Sequence, residues 1–197
     1  MLSRLPFSLA FLVTVAAILT ITTVEASSVH IYPGRHHKTI NPTATATPAD
    51  ALCKQTGYPS LCASSVGPVL SLPRSVSPAD LTTTNIQATI VKTIQARSLA
   101  TNLINSHSGS KIYKANINVC LENYDATLDS LRDSIKTIRS NGSHDDLMIN
   151  LSAALTGITT CDDAFTETPG MASPLAQVNS VLGMLAKNCL ELANMTQ

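Results

Sequence analysis

Residues 117–138 read INVCLENYDATLDSLRDSIKTI, and within them Ile117, Leu121, Tyr124, Leu128, Leu131, Ile135 and Ile138 recur at alternating spacings of four and three. That spacing places the apolar side chains on one stripe of an α-helix. A helix with a single such seam is marginal alone in water, so other helices must cover it. Cys120, at the start of the seam, marks a point where one of them can be tied on covalently.

The same rhythm returns on both sides of a few strong breaks. Leu147, Leu151, Ala154, Ile158, Cys161 and Phe165 repeat it, and so do Leu175, Val178, Leu182, Leu185, Cys189 and Leu192. Asn141-Gly142 closes the central helix, and Ser143 to Asp146 has the form of a capping box for the next one. Pro169-Gly170 ends that helix and Ser173-Pro174 starts the last. Upstream, Ser77-Pro78-Ala79-Asp80 combines a hydroxyl cap, a proline at the first helical position and an acid three residues after the cap. It predicts a helix to about Asn105 with Ile86, Ile90 and Ile94 turned inward; its seam is the least regular, because Arg97 falls where an apolar residue is expected. Before it, PADALCKQT and PSLCASSV are short helical pieces separated by Gly57-Tyr58-Pro59. Four long amphipathic helices with short connections must run antiparallel to their neighbours. The expected fold is therefore all-α: an up-down-up-down four-helix bundle with an N-terminal helical hairpin, filling residues 48–197.

Residues 1–26 have the form of a secretory signal peptide: one charge by Arg4, an apolar run from Leu5 to Ile21, and small residues around Val24-Glu25-Ala26. The mature protein is then expected to be secreted and soluble, with no later membrane span. Residues 27–47, rich in Ser, Thr, Pro and His, read as a flexible arm, and His36-His37 as part of a solvated basic run. Lys plus Arg and Asp plus Glu each number 13, so there is no net basic charge for nucleic acid. With 4% aromatic residues and no Trp, a sugar-binding cleft built on aromatic platforms is not expected.

Five cysteines in a secreted chain imply bridges and one left over, and spacing alone leaves about fifteen ways to form two bridges. Cys53 and Cys62 pair most simply, being close in sequence; Cys120 with Cys161 would then join two helices and leave Cys189 as a free thiol. Cys189 holds a seam position, where a thiol behaves as a small buried hydrophobe.

No catalytic constellation emerges. His107 and His144 lack a nucleophile at a readable spacing, and glycine-rich phosphate loops, paired metal ligands and CxxC pairs are missing. Asp145-Asp146 opens a helix, where acids favour the dipole, and Asp162-Asp163 has no visible cleft. Neither enzymatic activity nor a cofactor or metal is expected. Glu122, Asp129 and Asp133, with Asp125 nearby, form a second, acidic stripe on the central helix, relieved by Arg132 and Lys136 at three-residue offsets. Asn141, Asn150 and Asn194 each open a glycosylation acceptor tripeptide. A bundle so apolar also leaves a lipid held between helices as an alternative role, one that would need a cavity.

Cys-x-x-Thr-x-Tyr-Pro-x-x-Cys at 53–62, CLENYDATLDSL from Cys120 and LSAALTGITTCDDAF from Leu151 together resemble the plant invertase and pectin methylesterase inhibitor family, over the chain from about residue 49 onward. The resemblance implies a disulfide-tied four-helix bundle with bridges Cys53–Cys62 and Cys120–Cys161. It implies a secreted, apoplastic, monomeric protein that blocks a carbohydrate-active enzyme in a one-to-one complex. It also assigns partner contacts to Glu122 and Asp129 on the central helix and to Thr160 and Asp163 on the next. A further family acid falls at Ala126 here, with Asp125 one place earlier, which rotates that charge by about 100° around the helix. Invertase inhibitors share the bundle and carry a Pro-Lys-Phe motif; this chain has no such tripeptide, so pectin methylesterase is the expected partner and invertase the alternative. The family also includes a propeptide version fused ahead of an esterase, and no esterase follows here before Gln197.

Overall fold

The computed structural model describes residues 47–70, 76–106 and 109–196, the side chains of 68–70 excepted. The signal segment, the arm up to residue 46 and His107 lie outside the described residues. Six helices follow in order: α1 (Pro48–Cys53), α2 (Pro59–Leu70), α3 (Pro78–Ser106), α4 (Lys111–Arg139), α5 (His144–Thr166) and α6 (Ala176–Asn194). Around the bundle, α4 packs between α3 and α5, and α6 closes the ring between α5 and α3. The α1–α2 hairpin rests on α3 and α6. This is the expected architecture, and both expected bridges are present, Cys53–Cys62 and Cys120–Cys161. With sequence separations of 9 and 41 residues, loop closure in the unfolded chain makes them worth about 3 and about 4 kcal/mol.

Local signals set most helix ends. Thr47 and Asp50 form a full capping box at α1, each side chain bonded to the other's backbone N–H. Thr47 thus belongs to the helical domain rather than to the arm, and these bonds hold the Asp50 carboxyl below its ordinary value. Ser77 and Asp80 do the same at α3. At α5 only the Ser143 half forms, accepting from the N–H groups of Asp145 and Asp146. The last helix starts later than its Ser-Pro signal: Leu175 is the cap residue, while the Ser173 hydroxyl donates to Asp162. Asn141, at φ 49°, ends α4, and Asn tolerates this left-handed conformation better than most residues.

The α4, α5 and α6 seams are buried as their spacing requires, Leu121, Ile138 and Val178 only partly. On α3 the reading needs correction. Ile86 is buried, but Ile94 is 47% exposed, and Thr82, Asn85, Thr89, Thr93, Ala96 and Ala100 face the core instead. The inversion has a local cause: Thr82, Thr89 and Thr93 each donate their hydroxyl to the carbonyl four residues back, at 2.8, 2.8 and 2.9 Å. A hydroxyl satisfied within its own helix leaves a methyl group to pack, so the burial cost of a polar residue is largely removed. Cys189 lies inside this stripe, its sulfur 3.4 Å from both the Thr89 hydroxyl and the Asn85 side-chain oxygen.

α4 and α5 approach closely. At Gly157, an added Cβ would lie 2.5 Å from the Thr127 hydroxyl and 3.1 Å from the Asn123 carbonyl oxygen. The hairpin is clasped to α6: Asn188 accepts from the Tyr58 N–H and donates to the Tyr58 carbonyl, and Glu191 accepts from the Gly57 N–H at 2.6 Å.

Candidate functional site

The candidate contact residues stand on the outer surface of α4 and α5, and the Cys120–Cys161 bridge sets their level. Glu122 lies two residues beyond one bridge cysteine; Thr160 and Asp163 flank the other. At 1.5 Å of rise per residue, all three fall within about one helical turn of the bridge, whose Cα atoms are 4.3 Å apart. Glu122 and Asp163 are exposed and Thr160 half-buried. About 100° per residue puts Thr160 on the α4-facing side of the outer ridge of α5 and Asp163 on its α6-facing side. The Thr160 hydroxyl donates to the Thr156 carbonyl, so toward a partner it presents its lone pairs.

Asp129 and Asp125 stand apart from this group. Asp129 is nine residues from Cys120, about 14 Å along the axis, and pairs with Arg132 at 3.0 Å. Asp133 pairs likewise with Lys136 at 2.7 Å. Asp125 reaches to the α3 flank, where both its oxygens accept from Arg97, at 2.5 and 3.1 Å. Arg97, an irregularity in the α3 seam, therefore has a partner across the helix pair. Exposed pairs of this kind contribute only about 0–1 kcal/mol, but each neutralises an acid. Among the described residues no ion pair engages Glu122 or Asp163. At the level of the bridge Glu122 and Asp163 thus carry unpaired negative charge, as Asp145 and Asp146 do in the first turn of α5, where the helix dipole favours it.

What stiffens this level is a buried polar chain missed by the sequence reading. The Tyr124 hydroxyl donates to Asn179 at 2.5 Å. The Asn179 amide donates to Asp162 at 2.7 Å and approaches the Cys161 sulfur at 3.1 Å. Ser173 donates to the same Asp162 oxygen. Burial, then the nearby Asp162 charge, push the Tyr124 phenol above its ordinary value, keeping it a neutral donor. The chain links α4, α5, α6 and the α5–α6 connection beneath the candidate residues. Its one sequence signal is Asn179, a polar residue beside the seam of the last helix. Asp162 therefore has a structural role, while Asp145 and Asp146 sit in the first turn of α5.

Clefts of about 420, 280 and 250 Å³ lie between helices, walled in large part by polar side chains such as Asp133, Asp162 and Asn141. Among the described residues no cluster of side chains suits a metal, and no helix is long and apolar enough to cross a membrane.

The described residues form a disulfide-tied helical bundle that carries the candidate polar residues on its outer surface. The chain belongs to the plant invertase/pectin methylesterase inhibitor family, whose model matches residues 48–192; this is a family of inhibitors rather than of enzymes. A pectinesterase inhibitor from Actinidia deliciosa is 30% identical over 146 residues, covering 73% of this chain and 76% of that protein. A probable pectinesterase/pectinesterase inhibitor from Arabidopsis thaliana is also 30% identical, over 117 residues, but the matched part is only 21% of its length. Among solved structures, mutant form A of a pectin methylesterase inhibitor from Arabidopsis matches with a TM-score of 0.62 at 19% identity, covering 76% of this chain and 97% of the other. A pectin methylesterase inhibitor from Arabidopsis thaliana matches with 0.56, also at 19% identity, over 76% and 95%. At that identity the structural likeness speaks for the helical-bundle fold.

Proposed function

We propose that this protein is a secreted inhibitor of pectin methylesterase that docks the bridge-level surface of α4–α5 across the enzyme's pectin-binding cleft in a one-to-one complex. Demethylesterification of cell-wall pectin is limited as a result. The observation that carries the reading is the concentration of Glu122, Thr160 and Asp163 around a disulfide, in a family of inhibitors. The target is chosen from the Actinidia relative, named a pectinesterase inhibitor and similar through most of both chains. A surface fixed by a bridge and a buried polar chain loses little entropy on docking. Uncompensated acids there make affinity sensitive to salt.

The test is titration of the oxidised protein into a plant pectin methylesterase and, separately, an acid invertase. Loss of esterase activity at a one-to-one ratio, weakened at least tenfold in Glu122→Ala/Asp163→Ala and far less in Asp129→Ala, is the expected result. Inhibition of invertase alone would overturn the target. An unaltered double variant would overturn the docking face.

A further inference from the structure

Three acceptor tripeptides for N-linked glycan lie in this chain, and the fold gathers two of them at one end. Asn141-Gly142-Ser143 is the α4–α5 turn, and Asn194-Met195-Thr196 ends α6. In the alternating bundle these termini meet: a cleft of about 250 Å³ is lined by Asn141, Gly142 and Ser143 of the turn, by Ala79 at the start of α3 and by Thr196 after α6. Asn141 and Asn194 are both exposed. Neither side-chain amide is engaged in a hydrogen bond among the described residues, so converting either to a substituted amide breaks no contact. Asn150 differs: it is half-buried in the wall of the 420 Å³ groove, beside Asp133, Lys136 and Ile149.

We infer that Asn141 and Asn194 carry N-linked oligosaccharides that together cap this end of the bundle, leaving the bridge end bare for the partner. Along α4, 21 residues separate Asn141 from Cys120, about 31 Å of helix. The glycans are bulky and hydrated, so they close the turn end to a protein partner while standing clear of Glu122, Thr160 and Asp163. They also lie over the exposed turn Asn141-Gly142-Ser143. The assignment rests on the secretion reading, because glycan transfer requires export, and Asn150 stays unmodified.

The full chain is expressed in plant cells with its own leader and, in parallel, with the leader of an established secreted reporter. Glycan is released enzymatically in heavy-oxygen water, and labelled aspartate is mapped by peptide mass spectrometry. Label at 141 and 194 and none at 150 is expected; a bare Asn141 or Asn194, or a labelled 150, in chain exported by either leader overturns the inference. Export only with the borrowed leader overturns the secretion reading alone. Asn141→Asp keeps a residue that tolerates the left-handed turn, and Asn141→Asp/Asn194→Asp should inhibit within twofold of the parent. Ala164→Asn, followed by Phe165 and Thr166, creates a new acceptor tripeptide one turn from Thr160. Glycosylated there, the protein should inhibit at least tenfold less and recover on enzymatic release of the sugar, which separates shielding from misfolding. Undiminished inhibition by the glycosylated Ala164→Asn protein would overturn the bare docking end, and failure of the parent to inhibit would count against the proposed function while leaving the glycan map standing.

Discussion

Gly157→Ala tests the close approach of α4 and α5 because two effects of opposite sign meet there. On helix propensity alone, alanine in the interior of α5 would stabilise by about 1 kcal/mol. The structure argues the reverse: the new methyl would sit 2.5 Å from the Thr127 hydroxyl and 3.1 Å from the Asn123 carbonyl. Thr127 is fully buried and donates to the Ala154 carbonyl at 3.3 Å. Its hydroxyl cannot swing aside without losing that bond, and the backbone oxygen cannot move without shifting α4. Overpacking of this kind costs roughly 1–3 kcal/mol. Its upper range prevails because a buried hydrogen bond is lost with it, leaving a net destabilisation of about 1–2 kcal/mol. In a domain of this size that lowers Tm by roughly 2–8 °C. Urea unfolding of the oxidised protein measures it, and a double-mutant cycle with Thr127→Ala isolates the cause, since removing the hydroxyl relieves the tighter contact. A coupling of about 1 kcal/mol or more is expected. A Gly157→Ala protein as stable as the parent, or the absence of coupling, would refute the packing argument.

Burial pushes the Cys189 thiol up to about 12 from an ordinary 9.0, so the native protein should resist thiol reagents at pH 8 and react promptly once unfolded in guanidinium. The linked sign is a loss: between about pH 9 and 12 the unfolded chain gives up a proton that the folded one keeps, so stability falls there, and Cys189→Ser should flatten the decline in urea titrations. Asn188→Ala removes both bonds that hold the Tyr58 backbone. It should cost about 2 kcal/mol, with hydrogen exchange quickening at Thr56–Tyr58 well before the α4–α5 core; uniform loss of protection would contradict a local clasp. Asp125→Asn breaks a pair that is 45% and 52% exposed, so stability should change by about 1 kcal/mol or less and inhibition within twofold, since the carboxylate faces α3; a tenfold loss would return Asp125 to the contact surface.

What was legible in the sequence was whatever rested on periodicity. Ile117 to Ile138 and Leu147 to Phe165 show one apolar side each, and both sides face the core, Leu121 and Ile138 only partly buried. α3 misled because Thr82, Thr89 and Thr93 count as polar in a pattern but pack as methyl groups once their own helix satisfies the hydroxyl. Ile94 scored as core for the same reason, its stripe appearing the more apolar of the two. The level of the candidate residues along the bundle was legible only through the family resemblance, which named Glu122, Thr160 and Asp163 beside the bridge cysteines. The neutralisation of Asp125 was not, because Arg97 lies 28 residues away and only the α3–α4 pairing brings the two together. Gly157 gave no signal either: a glycine in a helix looks like a weakness until the neighbouring helix is in place.

The bridges also bear on how the chain is made. Each disulfide joins a cysteine to the next one along the polypeptide, Cys53 to Cys62 and Cys120 to Cys161, and Cys189 comes last. A chain that oxidises while it emerges from the ribosome therefore meets each correct partner before any competing thiol beyond it exists. By the time Cys189 arrives, the other four are taken and α3 is waiting to enclose it. Order of synthesis thus favours the correct pairing among the fifteen or so alternatives.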